Sequence, residues 1–293
     1  CSPCSHAPYL PCSPNIMSIQ WYPGHIAKAE RTLQEQLKRV DVILEVRDAR
    51  IPLTTHHPNV PQWVGSKMKV LVINRMDMIP SHIQKQWDEW FEEQGETAYF
   101  TNSRLGNGVD AVAKAAQAAG SQINEKRAGR GMLPRPVRAA VIGFPNVGKS
   151  ALINRLLNRR IVDSARRAGV TRHLKWVRIS ETLELLDAPG VIPTKIRKEE
   201  DALKLAICED IGEASYENLQ VATVLIELLQ DFNLQHLLVS RYQLEFTALS
   251  GDVYLQELAD YRNKGDIERT ARQMLNDFRK GLLGNIALEL PPN

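Results

Sequence analysis

Eight consecutive residues, Gly143-Phe-Pro-Asn146-Val147-Gly148-Lys149-Ser150, match the pattern G-x-x-x-x-G-K-[ST]. An apolar run precedes them and a helical pattern follows. In that setting glycines let backbone N–H groups close around phosphates at a helix N-terminus. Lys149 would reach the β- and γ-phosphates and the Ser150 hydroxyl would ligate Mg2+. A glycine-rich turn before a helix is the plain alternative, and the flanking strand and helix favour the phosphate loop.

Three further groups complete a nucleotide site. Asn74-Arg75-Met-Asp77 closes an apolar strand, where an Asp carboxylate can accept from guanine N1–H and its exocyclic amine together. Adenine offers neither donor, so a buried Asp would be left unpaired. Asn74 would reach the base's acceptor edge and tether the loop. The Arg75 stem would cover the base where N-K-x-D has Lys. Alone, N-R-M-D is equally explained by a helix-capping Asp. Asn102-Ser103-Arg104, also directly after a strand, fits a backbone-donating loop over the guanine keto oxygen. Asp187-Ala-Pro-Gly190 fits D-x-x-G, with Asp187 holding Mg2+ through water and the Gly190 N–H sensing the γ-phosphate. Thr171, in Ala168-Gly-Val-Thr171, suits closure over Mg2+ in the triphosphate state.

Strands and helices must alternate to present these groups. Apolar residues Ile26, Leu33, Leu37 and Val40 recur at helical spacing. Strands are expected at 42–46, 70–73, 95–100, 137–142, 174–179 and 183–186, with helices at 84–94, 111–119 and 149–158. Such alternation predicts an α/β domain with a parallel sheet. Residues 124–136 read as a Gly/Pro/Arg linker. Beyond Glu199 the pattern is helical, at 202–211, 218–230 and 267–279. The expected organisation is a leader at 1–16, a nucleotide domain at 17–195 and a mostly helical domain at 196–293.

Composition narrows the class. With 293 residues, 43% hydrophobic and 24% charged, the chain can bury a real core. Its longest apolar stretches, such as 221–229, are about half the roughly 20 residues of a membrane-spanning helix. The net charge of +3 hides an asymmetry: +12 over residues 1–198 and −9 over 199–293. A basic body points to a polyanionic partner. Between Arg155 and Arg178 stand eight Lys and Arg (Arg155, Arg159, Arg160, Arg166, Arg167, Arg172, Lys175, Arg178) against one acid, Asp163. That density suits salt-dependent phosphate contacts along RNA. Arg127, Arg130, Arg135 and Arg138 are expected to extend the surface. Cys1, Cys4, Cys12 and Cys208 make neither a disulfide framework nor a full zinc set. The Ser/Pro-rich, acid-free leader reads as the remnant of an organellar transit peptide, the alternative being a bacterial chain that starts at Met17.

The order of these motifs is permuted, since the base-reading groups at 74–77 and 102–104 precede the phosphate loop. In this the sequence resembles the circularly permuted ribosome-assembly GTPases of the YlqF/RbgA type and their organellar relatives. The resemblance runs from about Ile19 to Pro291. It includes Trp21-Tyr-Pro-Gly-His25, Asp48-Ala-Arg50-Ile-Pro52, the phosphate loop, Asp187-Ala-Pro-Gly190 and Asp277-Phe-Arg-Lys-Gly281-Leu-Leu-Gly284. It implies a P-loop GTPase domain plus a C-terminal helical domain, GTP hydrolysis in late maturation of the large ribosomal subunit, rRNA contact, and a monomer. The departures are Arg75 for Lys and Ala168 where the family usually has Pro. The wording of 205–212 resembles chloroplast and cyanobacterial members, so the chloroplast stroma is the first expectation, with mitochondrion or bacterial cytoplasm as alternatives.

Many GTPases carry a water-orienting Gln directly after D-x-x-G. Here Val191 stands in its place, so intrinsic turnover should be slow. The resemblance offers His25 as a catalytic group brought to the γ-phosphate on the ribosomal subunit. It also offers Asn146 as a ligand for an activating potassium ion. A nucleotide-gated RNA-binding scaffold with little turnover is the rival that Val191 keeps open.

Overall fold

The computed structural model describes residues 23–157 and 175–292 apart from 189, 194, 195, 197 and 248, with backbone alone for 23–29 and 175. Its strands are β1 (Val42–Asp48), β2 (Met68–Asn74), β3 (Ala98–Thr101), β4 (Val137–Ile142), β5 (Lys175–Arg178) and β6 (Leu183–Asp187). They form one sheet in the order β3-β2-β1-β4-β6-β5. All neighbours are parallel except β5, which pairs antiparallel with β6 at the edge. Parallel strands need covering on both faces, which is why β1, near the middle, is buried at all seven positions.

Two apolar clusters provide that cover. Leu33 and Leu37 of α1 (Pro23–Leu37) and Trp63 of α2 (Val60–Val64) pack on Ile43, Ala140, Ile142, Leu186, Ala188 and Val191. Trp87 and Phe91 of α3 (Ser81–Glu93) pack on Leu71, Ile73, Ile79 and Ala98, together with Ala287 from the end of the chain. The first cluster joins α1 to the segment that follows β6. The second joins Ala287 to the loop after β2.

The chain divides into two compact units, one running to Ala214 and including residues from Gly284 onward, the other Ser215–Leu283. The expected boundary at 195/196 therefore falls elsewhere. Helix α6 (Glu199–Cys208) belongs to the α/β unit, because Arg50 Nη2 donates to Cys208 O at 3.1 Å and Asn146 Nδ2 to Glu209 O at 2.6 Å. The second unit contains α7 (Asn218–Asp231), α8 (Gln235–Tyr242), α9 (Gly251–Asn263) and α10 (Ile267–Arg279), with α10 packed against α7 and α9. There Asp277 accepts from Arg241 Nε at 2.8 Å and from the Tyr242 hydroxyl at 3.3 Å.

The expected linker at 124–136 is shorter than its composition implied. Helix α4 (Val109–Ala128) runs into it, and the Asn124 side chain bonds the Arg135 backbone in both directions at 3.0 and 3.2 Å. The leader lies outside the described residues. Among those described, no helix is long and apolar enough to cross a membrane.

The sheet's centre also holds a buried ion cluster. Glu45 on β1 is 1% exposed and accepts from Arg47 Nε at 2.8 Å and Nη2 at 3.0 Å, with His56 Nδ1 at 2.6 Å. Burial alone would raise its carboxyl, but the charges and bonds of Arg47 and His56 hold it at about 2. A depressed carboxylate stabilises the fold above its unfolded value and loses that contribution as pH falls toward the folded one. The sign predicts destabilisation of about 3 kcal/mol between pH 4.5 and 2 from this group. Urea unfolding across that range checks it: Glu45→Gln should be less stable at neutral pH and should lose less on acidification.

Candidate nucleotide site

The groups expected to bind nucleotide converge at the carboxyl ends of β1, β2, β3, β4 and β6, the edge at which open parallel sheets bind ligands. Gly148, at φ 101°, opens α5 (Lys149–Leu156), and a Cβ there would lie 2.1 Å from Asn74 Nδ2. That contact shows how closely the loops after β2 and β4 approach. Asn74 is 3% exposed and its Nδ2 donates to Val147 O at 2.7 Å. Its Oδ1 accepts from Ser103 N at 3.1 Å, Ser103 Oγ at 2.8 Å and Thr101 Oγ1 at 3.1 Å. One amide thus joins the three loops. This is the tethering half of the role expected for Asn74; its oxygen is engaged within the protein.

The Arg75 guanidinium has protein partners of its own. Its Nη2 donates to Asn146 O in the phosphate loop at 2.7 Å, and its Nε lies 3.2 Å from Asp48 Oδ2. A lysine has a single nitrogen and could not span both partners in this fork geometry. Asp77 sits in a one-turn 3-10 helix (Met76–Met78) and is exposed. In the loop after β3, Asn102 Oδ1 accepts from Arg104 N at 3.0 Å and Leu105 N at 3.1 Å. The backbone donors expected to face a keto oxygen are therefore engaged in holding the loop itself.

On the phosphate side, Lys149 is buried and donates to Phe144 O at 2.6 Å and Gly143 O at 3.2 Å. Burial lowers its ammonium to about 8, opposed by the charges of Asp187 and Asp210. Ser150 lies in the first turn of α5 and Asp187 is buried at the end of β6, giving a hydroxyl and a carboxylate, the oxygen donors that Mg2+ prefers. Gly190 packs on the phosphate loop: a Cβ there would lie 2.5 Å from the Pro145 backbone. Val191 donates its N–H to Gly143 O at 3.2 Å while its side chain is buried beside Leu33 and Leu37.

Thr171 and the arginines 159, 160, 166, 167 and 172 lie outside the described residues, as do the side chains of His25 and Lys175. Two arginines expected on a basic surface, Arg135 and Arg138, are partly exposed and have acidic partners within the protein. Arg135 grips Asp41 with Nη1 at 2.6 Å and Nη2 at 2.8 Å. Arg138 pairs with Glu184 at 3.5 Å and lies over Trp176.

Sequence reasoning treated Asp48 and Arg50 only as part of a family signature and did not single out Asp210. Asp48 and Arg50 are fully buried and paired at 2.9 and 2.7 Å. Asp210 is also fully buried, and among the described residues neither carboxyl oxygen has a hydrogen-bond partner. Burial first, then Asp48, pushes its carboxyl well above the usual range against Arg50, Arg75 and Lys149. Nothing in the local sequence E-D-I reveals this. His57 stacks on Trp63 at 4.4 Å, and burial together with His56 lowers its imidazole to about 4, so it is neutral at physiological pH.

Residues 138–247 match the family model described as 50S ribosome-binding GTPase. Ribosome biogenesis GTPase A of Bacillus cereus is 34% identical over 283 residues, covering 94% of this chain and 95% of that protein. The chain belongs to the ribosome biogenesis GTPase A family. Mitochondrial ribosome-associated GTPase 1 of Mus musculus is 30% identical over 297 residues, covering 92% of this chain and 90% of that protein. The GNP-bound crystal structure of YlqF from T. maritima shares the fold at a TM-score of 0.63, with 22% identity over 91% of this chain and 99% of that one. In this permuted GTPase fold, strand β2, which ends at Asn74, precedes the phosphate-loop strand β4 in sequence yet lies two places from it in the sheet.

The Lys149 geometry yields a test. Phosphates favour the ammonium form, while the nucleotide-free chain loses that proton near pH 8. Above that pH, binding must take up a proton, so GDP affinity should fall by up to about tenfold per pH unit. Calorimetric titration at pH 7 and 9 in buffers of different ionisation enthalpy reads both the affinity and the proton uptake.

Proposed function

We propose that this GTPase acts on the maturing large ribosomal subunit, with hydrolysis completed by groups that the subunit brings into place. The observation that carries the reading is the burial of Val191. The residue after D-x-x-G points into the apolar cluster rather than toward a phosphate, and its neighbours there are Leu33 and Leu37 of α1. The first turn of that same helix contains His25. Motion of the γ-phosphate loop and motion of α1 therefore share one packed core, and such cores shift between discrete arrangements.

In this reading His25 orients the attacking water once rRNA orders the segment around it. Asp77 selects guanine, while Asn74 and Arg75 hold its loop against Val147 and Asn146. Asn102 and Ser103 brace the base side, and Gly148 and Lys149 cradle the phosphates. Ser150, Asp187 and Thr171 are the candidate Mg2+ ligands, and the ion would offset charge between the phosphates. Asn146 stands at φ 57° with its Nδ2 engaged by Glu209 O, so its amide oxygen is the atom a potassium ion would use. Gly190 follows the γ-phosphate. Arg159, Arg160, Arg166, Arg167, Arg172 and Lys175 supply the rRNA contact by their charge density, and 205–212 supports a chloroplast address by its wording.

GTP turnover with and without purified large subunits, in potassium and in sodium, tests this. Strong stimulation that fades in sodium is expected. His25→Ala should lose about 100-fold or more of the stimulated rate while keeping nucleotide affinity. Unstimulated turnover with GTP-dependent subunit binding would favour the scaffold reading. Absence of subunit binding would overturn the assembly role.

A further inference from the structure

After the helical unit ends at Leu283, the chain returns to the α/β unit and is buried there. Ile286 and Leu288 are each 1% exposed, and Ala287 packs in the cluster of Ile79, Trp87 and Phe91. Ile286 N–H donates to Met78 O at 2.8 Å and Leu288 N–H to Arg50 O at 2.9 Å. The Glu289 carboxylate accepts from Leu53 N at 2.9 Å, Thr54 N at 3.4 Å and the Thr54 hydroxyl, and pairs with Lys204 at 3.5 Å. A tail needing only to stay attached would not require this many directed bonds to one loop set.

Met78 is the last residue of the turn that presents Asp77, and Ile79 follows it into the core. The turn is closed at its start by a backbone bond from Met78 N to Arg75 O at 2.9 Å. A single 3-10 turn is poorly held by its own hydrogen bond. Its N-terminal side is fixed by Arg75 on Asp48 and Asn146 O; its C-terminal side is fixed by Ile286 and Ala287. We propose that residues 284–290 form a strap that positions Asp77 for guanine, making the end of the chain part of the base-specificity apparatus. The proposal rests on the reading of Asp77 as the guanine acceptor. It assigns the tail a positioning role, with no contact to the nucleotide.

The test compares GDP with inosine diphosphate, which keeps the N1–H and lacks the exocyclic amine. Their affinity ratio reports how well both Asp77 oxygens are placed. The full chain should prefer GDP by about tenfold or more, the value of one charged hydrogen bond. A chain ending at Leu283, and separately Glu289→Ala, should lose most of that preference, with GDP affinity falling further than inosine diphosphate affinity because GDP loses two bonds to Asp77 and inosine diphosphate one. Glu289→Ala is the milder variant and keeps the test valid if the truncated chain does not fold. A parallel loss for both nucleotides, or an unchanged ratio in a folded variant, would overturn the strap. Failure of the unaltered chain to bind either nucleotide would instead overturn the guanine-nucleotide reading, and the strap with it.

Discussion

Asp48 sits fully buried at the carboxyl end of the sheet's most enclosed strand, with two guanidinium groups on its carboxylate. Burial works against its charge, and the charges and bonds of Arg50, with the charge of Arg75, nevertheless hold the carboxyl below its ordinary range. A buried carboxylate is costly unless its lone pairs are met, and losing one partner leaves the others stranded. Here the partners lead outward. Arg75 carries the contact to Asn146 in the phosphate loop, and Arg50 carries it to Cys208 at the end of α6. The Arg50 carbonyl receives the returning C-terminal segment through Leu288. One carboxylate therefore stands between the base loop, the phosphate loop and both stretches of chain that flank the helical unit.

That arrangement gives the permuted order a physical consequence. The helical unit is inserted between Ala214 and Gly284, so it is joined covalently to the nucleotide domain at two places. On one side lies the α6 terminus, whose Glu209 carbonyl receives Asn146. On the other lies the segment bonded to Met78 and Arg50. The phosphate loop and the loop after β2 are therefore each bonded to one of the two stretches of chain that lead into the helical unit. Coupling of this kind requires discrete arrangements of packed elements, and the shared burial of Val191 with α1 provides one such element on the phosphate side.

Much of this was legible in the sequence because the phosphate loop needs particular residues at fixed spacing. Gly148, Lys149 and Ser150 admit few substitutes, and an apolar strand must precede them. The strands could be read because a parallel sheet buries them whole, leaving continuous apolar runs at 42–46 and 70–73. What escaped was whatever depends on distant partners. Arg135 reads as a free linker charge until Asp41, 94 residues away, closes on both its nitrogens. Glu289 reads as an acidic tail residue, yet it accepts two backbone N–H groups from the loop at 53–54. The domain break was placed early because the apolar face of α6 is equally suited to a helical bundle or a sheet. Only Arg50 and Asn146 decide between them.

Asp48 links Arg75, and through it the phosphate loop, to the turn that holds Asp77. A double-mutant cycle on GDP affinity tests it most directly, using Asp48→Asn, Arg75→Gln and the pair, each checked for a folded state. The pair should lose less affinity than the two single losses combined, with a coupling of about 0.5–3 kcal/mol, since either change alone already breaks the link. Strict additivity of the two losses would contradict it.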